Sequence, residues 1–308
     1  MATGAGNSPH IIDQLIEERA TRLMRHPALW RLVQRVFYPR LGYAEAISVV
    51  DTLREAPGRA VFDWLSERLD MAVHASGLEH VPRRGRAVVV ANHPAGIADG
   101  IAVWDALRTV RDDVIFLANR DAVRALPNLT DMIIPVEWRP ERRDHGRNRE
   151  TVRALVSALR AERLVVLFPS GRLARPTVRG LVERPWMSAG ISMALRNDAP
   201  LVPVHVRGVN SLLFYVLWCI NTELKDMTLF RELLNKHGAR YRIRVGEPLA
   251  PARDTDAEAL TQALRTFVTD AMPGGVTRFT SASASLASVP LAIAASASAS
   301  SMAERSGR

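Results

Sequence analysis

Ala87-Val-Val-Val-Ala-Asn-His-Pro-Ala-Gly-Ile-Ala-Asp99 is the stretch from which the fold is read. Its apolar run, Ala87 to Ala91, lies between Pro82 and Gly85 upstream and Pro94 and Gly96 downstream, the pattern of a short buried strand. His93 follows the strand directly. Asp99 stands near the start of a helix-like run, Ile101, Ala102, Val103, Trp104 and Leu107. In open α/β sheets ligands bind in the crevice at the carboxyl ends of strands. A histidine there can take a proton from an acceptor hydroxyl or amine. A carboxylate on its other ring nitrogen would fix the tautomer and stabilise the imidazolium. A loop histidine capping a helix beside a solvated aspartate satisfies the same spacing.

Further strands are expected at Met71–Ala75, Val114–Ala118, Ile133–Val136, Leu164–Phe168 and Ala199–Gly208, with helical patterns between them. Arg240–Val245 alternates as an edge-type strand. Ser8-Pro9 reads as a helix start, and helices follow over Leu29–Phe37, Tyr43–Glu55 and Arg59–Leu69. This helical front end is either a membrane-docking element or a cap on the main domain. Thr255-Asp-Ala-Glu258 is a capping box for a last helix running to Ala271. Thr280 to Ser301 is mostly Ala and Ser and is expected to be disordered. The chain divides into a helical segment over 1–70, an α/β domain over 71–272 and a tail over 273–308.

The 308 residues are 47% hydrophobic and 24% charged, enough for a substantial core. The single cysteine, Cys219, excludes an internal disulfide framework and a thiolate metal cluster. The net charge of +9 is carried almost wholly by arginine, since only Lys225 and Lys236 are lysines. Such a surface suits anionic headgroups and phosphates. Nucleic acid is disfavoured, because aromatics are sparse and no nucleic-acid motif is present. No basic and apolar leader opens the chain, so no secretory signal is expected. The longest apolar run, Leu212 to Ile220, is far short of the ~20 residues of a membrane span. That run lines an acyl tunnel, touches a bilayer or is a buried helix.

Asn92-His93 with Asp99, five residues intervening, resembles the His/Asp motif of the glycerolipid acyltransferase superfamily, in its bacterial branch with a His-x5-Asp spacing. Phe168-Pro-Ser-Gly-Arg172 resembles the family's Phe-Pro-Glu-Gly motif, and Pro200-Leu-Val-Pro203 its fourth motif. The resemblance implies a mixed, mostly parallel sheet flanked by helices, with the N-terminal helices in front. It implies that His93 deprotonates the acceptor, Asp99 orients His93, and the acceptor attacks an acyl thioester. Asn92 and Gly171 would shape the loops, Arg172 and Arg139 would bind phosphate, with Arg120 the second choice to Arg139, and Pro203 would line a groove. Acyl-CoA or acyl carrier protein would be the co-substrate, with no bound cofactor and no metal.

Ser170 departs from the pattern, since the family glutamate at that place helps hold the acceptor's hydroxyls. Either the acceptor differs or another residue takes over. The reading is an O-acyltransferase acting on a lysophospholipid such as 1-acylglycerol-3-phosphate in membrane lipid synthesis. The alternatives are the same chemistry on an amino-acid lipid or other alcohol, or a non-catalytic basic membrane-binding protein. The expected location is cytoplasmic, peripheral at the inner face of the cell membrane.

Overall fold

The structure, a computed structural model, describes residues 9–137, 145–178 and 180–280. Its strands are β1 (Ala72–Ser76), β2 (Ala87–Ala91), β3 (Val114–Asn119), β4 (Ile133–Val136), β5 (Leu164–Leu167), β6 (Arg175–Thr177), β7 (Gly180–Val182), β8 (Leu201–Arg207) and β9 (Arg240–Val245). Four helices, α1 (Ile11–Glu17), α2 (Pro27–Phe37), α3 (Tyr43–Leu53) and α4 (Gly58–Leu69), precede the sheet. Between and after the strands come α5 (Ile97–Leu107), α6 (Arg120–Ala125), α7 (His145–Arg160), α8 (Ala189–Arg196), α9 (Leu212–Ile220), α10 (Thr222–Met227), α11 (Leu229–Leu234) and α12 (Ala257–Thr266).

Seven strands form one sheet in the order β1-β9-β8-β2-β5-β3-β4, while β6 and β7 make a separate hairpin. All neighbours in the large sheet run parallel except β8 and β9. It is therefore a mixed, mostly parallel sheet flanked by helices. The central strands are apolar throughout because both of their faces are covered. Ala87, Val89 and Ala91 of β2 face a core with α1, α3, α4 and α5. Val88 and Val90 face the opposite core, with α7, α8 and α12. The N-terminal helices thus share a core with the sheet. Only α2 turns aside: Trp30 and Val33 pack with Leu23, Leu41 and Met227, leaving Leu29, Leu32 and Val36 exposed.

Several local expectations shift. β9 is no edge strand, because β1 pairs along its outer side and β8 along its inner side. Its alternation reports burial on one face, where Tyr241, Ile243 and Val245 join the core while Arg240 and Arg242 stay exposed. Ser8 lies outside the described residues, and α1 is capped by His10, whose side chain accepts from the Ile12 N–H. Asp256, not Thr255, caps α12 by accepting from Glu258 and Ala259. The fold also continues past residue 272. The Thr277 carbonyl accepts from the Glu247 N–H at 2.8 Å, and Phe279 meets Phe267 edge-on at 5.5 Å. The Ala/Ser run beyond Thr280 lies outside the described residues.

At the rim where β2, β3 and β5 begin, the buried Arg111 ties three loops together. It bonds the carbonyls of Pro82, Gly85 and Glu162 and forms a forked pair with Asp113. Replacing Arg111 by Met would leave those groups without their donor, so unfolding free energy should fall by about 3 kcal/mol in denaturant titration.

His205 is a core histidine, its Nδ1 lying 2.9 Å from the Val268 carbonyl. Burial holds its pKa below the ordinary value, and Arg244 and Arg207 push the same way. The unfolded chain therefore binds a proton before the folded one does, and stability declines as pH falls below about 6.5. His205→Gln should flatten that decline in unfolding measured between about pH 7 and pH 5.

Candidate active site

The end of β2 is fixed by Asn92. Its side-chain amide donates to the Val206 carbonyl at 2.9 Å and accepts from the Val206 N–H at 2.7 Å. This side-chain pair ties the residue after β2 to β8 and sets the direction in which the chain leaves the sheet. The next residue, His93, stands at the rim.

Asp99 lies in the first turn of α5 and is fully buried. Its Oδ2 accepts from the N–H groups of Ala95 and Gly96 at 2.8 and 2.9 Å. A carboxylate at a helix N-terminus is stabilised both by these donors and by the helix dipole. The same oxygen lies 3.0 Å from His93 Nδ1. That separation is an ion-pair distance, although the two atoms are not aligned as a hydrogen bond. Catalytic pairs commonly tighten only when substrate binds. The imidazole stacks on Phe168, centroids 4.4 Å apart, and its side chain keeps 17% exposure. With Nδ1 turned to the carboxylate, Nε2 is the nitrogen left to receive a substrate proton.

The turn after β5 packs on this loop. Gly171 has φ +58° and its N–H bonds the Phe168 carbonyl at 2.9 Å, a tight turn that favours glycine. Ser170 Oγ donates to the Arg172 carbonyl at 2.8 Å. The Ala174 N–H reaches back to the His93 carbonyl at 2.9 Å, so the two turns are bonded to each other. Gly96, at φ +90°, lets Leu173 approach so closely that a Cβ would stand 3.2 Å from it.

Glu183, just beyond β7, belongs to this cluster although no motif in the sequence marks it. Its Oε2 accepts from the His93 N–H at 3.1 Å and its Oε1 from the Trp186 indole at 3.1 Å. Burial pushes its carboxyl up, while the His93 N–H, the Ser170 hydroxyl and the Trp186 indole pull it back. The signal in the sequence was a single acid among Arg172, Arg175, Arg179 and Arg184.

The other expected site residues are placed as follows. Arg172 is exposed on the turn beside Ser170. Arg139 lies outside the described residues. Arg120 is paired with Glu150 at 2.7 Å. Pro203 is not brought to the rim. It is buried mid-strand opposite Val90, with its carbonyl accepting from Gly246 and its ring against Gly246. A proline has no N–H to donate, and β8 begins pairing with β9 one residue later, at Val204. The apolar run Leu212 to Ile220 is α9, which buries Phe214 and Leu217 and exposes Leu212, Val216 and Ile220. No described helix is long and apolar enough to cross a membrane.

The arrangement is a base–carboxylate pair with a polar turn across from it, suited to proton removal from an incoming hydroxyl. Asp99→Asn keeps an oxygen for the Ala95 and Gly96 amides but removes the charge facing His93. The rate of a reaction that uses His93 as its base should fall about a thousandfold or more while the melting temperature is retained, a split checked by assay and thermal scan.

Residues 72–207 match the family model described as Acyltransferase. A lyso-glycine lipid O-acyltransferase of Phocaeicola vulgatus is 25% identical over 207 residues, covering 64% of this chain and 72% of that protein. A protein of the same name from Bacteroides thetaiotaomicron is 27% identical over 207 residues, covering 64% and 74%. The crystal structure of the 1-acyl-sn-glycerophosphate (LPA) acyltransferase from Thermotoga maritima is similar with a TM-score of 0.46 and 17% identity, over 85% of this chain and 99% of that one. Over residues 72–207 the chain is therefore similar to the acyltransferase family.

Proposed function

We propose that the protein transfers a fatty acyl chain from acyl-CoA or acyl carrier protein to the hydroxyl of a lyso-amino-acid lipid. The observation that carries the chemistry is the pairing of His93 Nδ1 with Asp99 Oδ2 at 3.0 Å on the rim of the sheet. His93 Nε2 takes the hydroxyl proton as the acceptor oxygen attacks the thioester carbonyl carbon. Asp99 stabilises the imidazolium so formed. The tetrahedral intermediate collapses, the carbon–sulfur bond breaks, and the thiolate leaves with the proton returned by His93. An ester and a free thiol are the products. No covalent acyl-enzyme is invoked.

The acceptor is argued from Ser170. The glutamate that would hold glycerol hydroxyls in the family motif is absent here. An N-acylated amino acid offers one carboxylate instead of a phosphoglycerol, and the exposed Arg172 beside Ser170 presents a fork that fits a carboxylate. The names of the two curated relatives support the same choice. Work at the inner face of the membrane, from the cytoplasm, is the accompanying proposal. It is supported by the exposed apolar stripes of α2 and α9 and by the net charge of +9.

The test offers purified protein acyl-CoA or acyl carrier protein together with either a lyso-amino-acid lipid or lysophosphatidic acid, and reads the products by mass spectrometry. The expected product is the O-acylated amino-acid lipid. His93→Ala should lose about a thousandfold in rate with an unchanged melting temperature. Wild-type turnover in His93→Ala would overturn the mechanism. Product from lysophosphatidic acid alone would return the acceptor to a glycerophospholipid.

A further inference from the structure

We propose that Glu183 is a positioning residue for His93. Its carboxylate, lodged behind the turn after β2, holds the main chain of His93 so that the imidazole stays over Phe168 and beside Asp99. This rests on His93 being the base of the reaction proposed above.

A buried carboxylate is expensive unless its oxygens are hydrogen-bonded. Glu183 is only 6% exposed, and the donors on its carboxylate are the His93 main-chain N–H and the Trp186 indole N–H. If filling space were its task, an apolar side chain of similar volume would serve at no such cost. What the carboxylate adds is an anchor on the backbone of the residue that does the chemistry.

The anchor is itself supported. Arg265 of α12 donates to the Glu183 carbonyl at 2.7 Å and to the Arg184 carbonyl at 3.0 Å. A strut therefore runs from α12 through Glu183 to His93. The His93 peptide is gripped on both sides, its N–H by Glu183 and its carbonyl by the Ala174 N–H. A base displaced by about 1 Å can lose two orders of magnitude in rate.

Glutamine is an isostere with a defect that makes the idea testable. Both the His93 N–H and the Trp186 indole are donors, and Glu183→Gln offers one oxygen and one NH2 group. One donor must then face another. Trp186→Phe removes the competing donor and lets the glutamine oxygen serve His93.

The expected result is a fall of about a hundredfold in kcat for Glu183→Gln with little change in KM for the acyl donor, and a recovery of about tenfold in the double variant. A second readout needs no substrate. In protein labelled with 15N-histidine, the His93 amide proton, assigned by its loss in His93→Asn, should lie downfield. It should move upfield in Glu183→Gln, return in the double variant, and stay downfield in Trp186→Phe, which serves should Glu183→Gln not fold. Wild-type kcat in Glu183→Gln, an unmoved His93 amide, or equal loss in single and double variants would overturn the proposal. A wild-type protein that does not acylate the amino-acid lipid would refute the acceptor assignment while leaving the amide readout to judge Glu183.

Discussion

The site hangs on one buried carboxylate. Asp99 is taken fully out of water, and such a charge is costly unless it finds donors. The turn leading into α5 supplies two, the amides of Ala95 and Gly96, both to Oδ2. Holding the carboxylate this way fixes the loop between His93 and α5, and with it the side of the imidazole that faces the protein. The fold and the chemistry therefore share one constraint. The turn that starts the helix is also the turn that aims the base.

The rest of the structure keeps that turn in place. Asn92 ties the end of β2 to β8, so the chain leaves the sheet in a set direction. The Ser-Gly-Arg turn closes over it through the Ala174–His93 bond and the approach of Leu173 to Gly96. Glu183 and Arg265 reach the same point from the far side. Reactive groups held by several independent contacts lose little entropy on the way to the transition state. The two cores that clamp the sheet on either face supply the rigidity on which this depends.

What could be read in the sequence follows from the range of the interactions. β2 and β4 have the bounds expected of them, because short apolar runs closed off by proline, glycine or polar residues mark strands locally. The His93–Asp99 pairing lies within one strand, turn and helix, so the spacing allowed it, and the resemblance of Asn92-His93 and Asp99 to the acyltransferase motif favoured it over a solvated aspartate. The place of β9 did not follow, since burial of a single face looks the same in an interior strand as in an edge strand. Glu183 escaped notice because it meets His93 across 90 residues of chain, from a hairpin rich in arginine. Pro203 was carried over on a motif, and only the register of β8 shows that it sits below the rim. Arg139 lies outside the described residues, so its part in anion binding is untouched by the geometry.

The central claim is that Asp99 holds His93 with Nδ1 protonated and Nε2 ready to accept. The 15N resonances of the His93 imidazole report this directly. The account predicts, in the neutral imidazole, a pyrrole-type Nδ1 and a pyridine-type Nε2, and loss of that preference in Asp99→Asn. A His93 ring carrying its proton on Nε2, or one indifferent to the removal of the Asp99 charge, would contradict it.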